Sequence, residues 1–389
     1  MNGPLTNSSA NLTSLVSVAE TVATTEAGMA LFAELQQGNR TVFAPSNAAF
    51  AEVPESVSSN VTLLTQILSY HILQRSYIPS GVTLTPNHTI ARTLLKGGNY
   101  ELYGNQSQAL VLERASNTTN GITVVQGPNR EASGPIAAAN LQVYVIEQVL
   151  DLPANITEVA SSTAPSLTAL LPADVLDILL ESEGFTVFAP TDTAVAAASG
   201  VLGLLNATTV TDVLLNHVVN GTIAYSSDLV KNSTNLYSAG GQKFSFVSNS
   251  SGLYVMSGNS TAKVVSSVCT FCHSLYLLFL SSVLLRSFTD AQDIIMENGV
   301  LHTIDAVLAN TANNETAADS AFTSATAAAT SMTPTNPVTA TSQPAQSQGG
   351  SGSSTPSGAA DRAMGFSNSM VGAAFGLVAA VVGGAFVLA

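Results

Sequence analysis

The chain has 389 residues, 11 Lys+Arg against 25 Asp+Glu, and a formal net charge of −14 with only 9% charged residues. So acidic a chain lacks the basic footprint that nucleic acid or an anionic lipid surface requires, and no nucleic-acid partner is expected. With so few charges, solubility falls to something else on the surface.

In chain order, residues 1–20 hold neither a basic start nor a continuous apolar run, so no secretory leader is legible there. The expectation is that Met1 is not the native start and that an upstream exon supplies the leader. One phrase then occurs twice, Thr41-Val-Phe-Ala-Pro45 and Thr186-Val-Phe-Ala-Pro190. A helical pattern precedes each copy: Leu31, Phe32 and Leu35 in the first, Val175, Leu176, Leu179 and Leu180 in the second. A helix start follows at Ser46-Asn47 and Thr191-Asp192, residue types that cap free N–H groups. Second apolar helices are expected over 63–73 and 210–219, each holding a histidine, His71 and His217. Strand-like runs come next, at 122–125, 243–247 and 253–256, and the copies close on apolar strands at 141–150 and 300–308. At about 150 residues each, either copy can bury its own core.

The expected boundaries are therefore 1–152 and 153–310. Residues 311–357 are Ala, Ser, Thr, Pro and Gly with few large apolar side chains, and read as a disordered, O-glycosylated stalk. Residues 358–389 read as an anchor signal. The small run Ser357-Gly358-Ala359-Ala360, the polar spacer 361–369 and the uncharged apolar tail 370–389 stand in the order of a glycosylphosphatidylinositol signal. Gly358 is the expected attachment residue and Ser357 the second choice; the alternative is an ordinary C-terminal membrane helix. Either one ties the protein to a lipid bilayer at its outer face.

Fourteen Asn-X-Ser/Thr sequons agree with an extracellular address: Asn7, Asn11, Asn39, Asn60, Asn87, Asn105, Asn117, Asn155, Asn206, Asn220, Asn232, Asn249, Asn259 and Asn314. Chance alone would give about half as many. Sugars in place of charges would keep such a surface soluble.

The pattern TVFAP-(S/T)-(N/D)-x-A-(F/V), a histidine helix after it and the closing run 298–308, Asn-Gly-Val-Leu-His-Thr-Ile-Asp-Ala-Val-Leu, resembles the fasciclin domain. The first copy departs in its closing run, 140–150, but keeps the apolar spacing. The resemblance covers about residues 12–309. It implies an α+β fold of two tandem domains, each a β-wedge or sandwich with packed helices, followed by the disordered stalk and the C-terminal hydrophobic helix. It also implies cell adhesion and matrix contact, and its fungal members carry such stalks and anchors. A Tyr-His pair in animal relatives is linked to integrin contact. Tyr70-His71 matches it and Asn216-His217 does not, which makes Tyr70, His71 and His217 the partner-contacting candidates, set against a role as core residues.

Residues 268–292 interrupt the second copy between its last two strands with a long apolar run beginning Val-Cys-Thr-Phe-Cys-His. A membrane helix, a metal or redox site at Cys269, Cys272 and His273, and a retained intron of 25 codons compete for it. The intron is preferred, because its removal joins Ser267 to Asp293 and restores an uninterrupted approach to the closing run.

No Gly-X-Ser-X-Gly elbow, His-Glu-X-X-His pair or phosphate-binding glycine loop occurs. Glu181 and Glu183 read as a solvated helix end, His88 as a residue beside a sequon and His302 as part of a closing strand. No catalytic residue, metal or cofactor is expected. The expected function is adhesion to matrix, wall polysaccharide or other surface proteins; the alternative is a structural wall glycoprotein.

Overall fold

The computed structural model describes residues 10–84, 88–114, 121–126, 129–171, 173–231, 235–265 and 293–331. The anchor signal with Ser357 and Gly358, the stalk beyond residue 331, the interruption at 268–292, and Asn7, Asn87, Asn117 and Asn232 lie outside them.

Each copy of the repeated phrase becomes a buried strand, second from one edge of a seven-stranded sheet. The first sheet comprises β1 (Arg40–Pro45), β2 (Ile72–Leu73), β3 (Thr89–Arg92), β4 (Ala109–Glu113), β5 (Ile122–Val125), β6 (Arg130–Ala138) and β7 (Leu141–Ile146), in the order β2-β1-β7-β6-β5-β4-β3. The second comprises β8 (Phe185–Pro190), β9 (Val218–Asn220), β10 (Phe244–Asn249), β11 (Gly252–Ser257), β12 (Ser260–Val265), β13 (Ile294–Met296) and β14 (Gly299–Ile304). Its order is β10-β11-β12-β14-β8-β9, with β13 also on β14. In both copies the TVFAP strand lies parallel to the closing strand, Phe43 beside Tyr144 and Phe188 beside His302.

The alternation of TVFAP explains why both faces are covered. Ala44 and partly buried Val42 meet the helices Thr13–Val22, Glu26–Leu35 and Val61–Tyr70, while Phe43 enters a second cluster with Tyr70, Leu110 and Tyr144. In the second copy Val187 and Ala189 face the helices and Phe188 faces Phe244 and Phe246. A buried aromatic of this kind contributes about 1.5–3 kcal/mol through area alone, and Phe43→Ala would cost about 3–5 kcal/mol once its cavity is counted. Proline ends each strand, and the next side chain caps a helix. Ser46 Oγ accepts from Ala49 N at 3.2 Å, and Thr191 Oγ1 accepts from Ala194 N at 3.3 Å.

Two expectations need correction. The histidine helices end earlier than the apolar runs suggest, at Tyr70 and Leu215, and the apolar residues beyond them form β2 and β9. His71 and His217 thus sit at the turn, where a ring bond to the helix replaces helical continuation. Secondly, Glu315–Ser331, inside the expected disordered stalk, is a helix of 17 residues, because the domains offer it a groove.

Strands β12 and β13 run one after the other along the same edge of β14. Val264 and Val265 face Ile304 and Thr303; Ile294, Ile295 and Met296 face Leu301, Val300 and Gly299. Only His302 separates the two stretches on β14. The equivalent strand of the first copy, β6, is continuous, with a bulge in which Gly134 and Pro135 face Tyr144.

Candidate functional site

Tyr70, His71 and His217 are inside the cores, at 1%, 1% and 2% exposure. His71 Nδ1 bonds the Ile67 carbonyl at 2.7 Å, which assigns it the proton, and Nε2 accepts from Leu150 N at 2.9 Å. His217 repeats this with Val213 O at 2.7 Å and Leu308 N at 2.9 Å. Each ring ties the end of a helix to the segment after the closing strand. Burial, against the opposing pull of the helix carbonyl, holds both imidazoles down at about 4, so they are neutral in ordinary solution. The Tyr70 hydroxyl donates to Ala109 O at 3.1 Å, and burial pushes its phenol far above the usual range. All three are satisfied core groups with no side-chain surface left for a partner.

Chemistry gathers instead where the two domains meet. His88, just before β3, reaches across the junction: its Nε2 lies 2.6 Å from Ser226 Oγ and 3.1 Å from Asp293 Oδ2, while its Nδ1 lies 3.4 Å from Glu113 Oε1. Asp293 Oδ1 accepts from Ser226 N at 2.7 Å and Oδ2 from Ser226 Oγ at 2.6 Å; His302 Nδ1 stands 3.6 Å from Oδ1. Burial alone would push His88 down, but its bonds to Asp293 and Glu113 and their charges outweigh that and hold it up at about 9. Asp293, with a side chain out of contact with solvent, is held below the usual carboxylate range. Burial opposes this, and the His88 bond and the nearby histidines win.

Around this ion pair the interface is apolar and stacked. Ala109 packs with Tyr225 and Val300, flanked by Ile90, Ile223 and Ile295, and the Arg92 guanidinium lies over the Tyr225 ring at 5.5 Å. Gln108 Nε2 donates to the Glu297 carbonyl and Tyr103 N to the Glu183 carbonyl. Beside it opens a cleft of about 850 Å³ lined by both domains, including His88, Arg92, Tyr103, Tyr225 and Ser226.

The serine, histidine and carboxylate order invites comparison with a nucleophilic triad, and the geometry decides against it. The Ser226 hydroxyl donates to Asp293 Oδ2 at 2.6 Å and not to the ring, and the carboxylates on either side of His88 favour its protonated form, whose Nε2 has no lone pair to take a serine proton. The arrangement is an interdomain latch. Sequence reading missed it because His88, Glu113, Ser226 and Asp293 come from four separate segments that only the docked fold brings together.

The helix Glu315–Ser331 lies across the same cleft. Phe322 meets Tyr103 edge-on at 6.3 Å, and Ala325, Ala328 and Ala329 line the cleft wall. A Cβ at Gly104 or Gly241 would strike the carbonyl of Ala329 or Asn314, and one at Gly221 the Phe322 ring; all three have φ near +72 to +77. Asn216, the residue standing where the first copy has Tyr70, aims this helix. Its Nδ2 donates to Asn310 O at 2.9 Å and Ala312 O at 2.8 Å, and its Oδ1 accepts from Ser238 Oγ.

Of the ten sequon asparagines described, Asn155 and Asn220 are half-buried and the other eight exposed. Asn60, Asn155 and Asn206 are also helix N-caps, and Asn314 Oδ1 accepts from Ala317 N in the same way. Helix capping is thus a second reason for asparagine at four of these positions. Among the described residues no group of three or more His, Cys, Asp or Glu side chains is arranged to hold a metal ion, and no helix is long and apolar enough to cross a membrane.

A repeated α+β module of helices on a seven-stranded sheet, locked in tandem through a buried junction, defines a docked domain pair rather than two beads on a string. The family model described as Fasciclin domain matches residues 11–153 and 163–286, more than half of the chain, and the chain belongs to that family. The family is one of adhesion and structural modules. Immunogenic protein MPB70 of Mycobacterium bovis is 33% identical over 124 residues, covering 31% of this chain and 53% of that protein. The cell surface glycolipoprotein MPB83 of the same species is 30% identical over 125 residues, covering 31% and 47%. The chain thus spans about half the length of these relatives. A solved FAS1 domain pair from the insect cell adhesion molecule Fasciclin I covers 76% of this chain and 96% of its own, at 18% identity and a TM-score of 0.33.

Proposed function

We propose that this is a cell-surface adhesion protein in which two fasciclin domains act as one rigid head, held off the membrane by the stalk and a lipid anchor at Gly358 or Ser357. The observation that carries this reading is the latched tandem. A buried junction fixes the relative placement of two domains, so their outer faces form one combined surface that engages partners with the avidity of linked contacts. The name of MPB83, a cell surface glycolipoprotein, supports the address. Partners in this reading are matrix, wall polysaccharide or surface proteins, and the Ala/Ser/Thr-rich stalk suits a fungal wall. The reading has no catalytic step. A second reading, a structural wall glycoprotein whose sugars do the work, draws on the exposed sequons at Asn11, Asn39, Asn105, Asn249 and Asn259.

Beads coated with the sugar-free head, residues 10–331, separate the two. Attachment to the producer's cells or matrix without sugars supports adhesion by protein faces. Attachment that requires sugars supports the structural glycoprotein.

A further inference from the structure

We propose that the groove across the domain junction accepts the Glu315–Ser331 helix of a second copy of this chain, so that two molecules exchange these helices and form a reciprocal dimer. The inference deepens the adhesion reading, which supplies its biological use, by naming a partner: the protein itself.

The groove is built for this one helix. Gly104 from the first domain and Gly221 and Gly241 from the second come so close to it that any side chain there would collide with its backbone or with Phe322. Tyr103 and Gly221 receive Phe322 from the two sides of the junction, so the seat exists only when both domains are latched.

The helix nevertheless belongs to neither core. None of its residues is buried. Seven residues of Ser or Thr weaken its intrinsic helicity, and several hydroxyls bond back to carbonyls within the helix, as Ser320 does to Thr316 and Thr326 to Phe322. A helix of 17 residues with this composition is marginal in water, so it is stable in a groove and unfolds out of one. Leaving the groove opens no core.

The connection permits exchange. The second core ends at Leu308, fully buried and pinned by His217. Residues 309–314 follow, a link that reaches about 20 Å when extended. A few hydrogen bonds hold it down: those of Asn216 to Asn310 and Ala312, of Asn310 Nδ2 to Ser257 Oγ, of Asn313 to Asp212 and of Asn314 N to Gly240. In the exchanged dimer each groove regains the same Phe322, Ala325 and Ala329 contacts from the partner helix. The exchange therefore changes which chain supplies the contacts and not how many form, and protein concentration sets the balance. Chains crowded on one surface, or on two apposed surfaces, meet that condition.

The test uses the full-length chain in detergent with Cys269→Ser and Cys272→Ser. Thr222 borders Gly221, against which Thr326 packs. One preparation carries Thr222→Cys and another Thr326→Cys; they are mixed, concentrated and treated with a short bismaleimide. The expected result is a covalent heterodimer of doubled mass that increases with concentration. It should be lost when Leu204→Cys, an exposed residue that does not line the cleft, replaces Thr222→Cys. A single chain carrying both cysteines, treated when dilute, should cross-link internally. Internal cross-linking with no heterodimer at any concentration overturns the proposal, as does a failure to cross-link internally, since the helix would then not occupy the groove. Bead attachment by a protein that never exchanges would sink this inference and leave the adhesion reading standing.

Discussion

His88 Nε2 lies 3.1 Å from Asp293 Oδ2, and the two residues belong to different domains. With Glu113 on its other side, the imidazolium is enclosed by one carboxylate from its own domain and one from the next. The pair makes domain docking a chemical condition and not merely an apolar contact.

Replacing His88 by glutamine leaves Asp293 buried without its counter-charge. Removing one partner of such a pair costs about 3–5 kcal/mol. Differential scanning calorimetry should show the midpoint falling, with a second transition appearing as the domains separate. The double variant His88→Gln, Asp293→Asn should recover part of the loss. A single variant with an unchanged midpoint would show that the junction does not depend on the latch.

The histidines also set the pH dependence, with opposite signs. His88 is raised from 6.5 to about 9, so its contribution is complete below pH 6.5 and disappears as pH rises through 9. His71 and His217 are lowered to about 4, so the unfolded chain binds their protons first, and stability is lost as pH falls from 6.5 through 4. Asp293, also lowered, adds a loss at still lower pH. Each histidine contributes on the order of 3 kcal/mol over its window. Urea titrations should give a stability maximum near pH 6.5. Glutamine at position 88 should flatten the alkaline side alone, and glutamine at 71 and 217 the acid side alone.

Asn216→Ala removes two donors to the link and leaves Ser238 without its acceptor. The expected loss is about 1–3 kcal/mol, concentrated in the C-terminal helix. Amide exchange over 313–331 should accelerate while β1 and β7 stay protected. Uniform acceleration throughout the second domain would instead make Asn216 a general core residue.

The chain on either side of the 268–292 interruption forms β12 and β13, which lie along the same edge of β14. Both pair with β14 and only His302 lies between their stretches, the place opposite which the first copy's continuous β6 has its bulge at Tyr144. Mass spectrometry of protein from the native source should therefore find Ser267 joined directly to Asp293. Peptides from within 268–288 would refute the retained intron.

The local parts of the fold were legible because they are local. The TVFAP strands, the caps at Ser46 and Thr191 and the closing strands each depend on residues within one turn or one pleat of each other. The boundary of the histidine helices was not, because an apolar run looks alike as the end of a helix or the start of β2, and only pairing with β1 separates them. The histidines themselves were ambiguous for the same reason: Ile67 is one turn away, but Leu150 is not.

The sequence by itself determined the two modules and their order, since repetition and periodicity are properties of neighbours along the chain. Tertiary structure alone decided that His71 and His217 close the cores, that His88 joins Asp293, and that a segment of Ala, Ser and Thr becomes a helix. Each of those outcomes depends on desolvation or on contact between distant segments, and such energies exist only once the chain has brought the partners together.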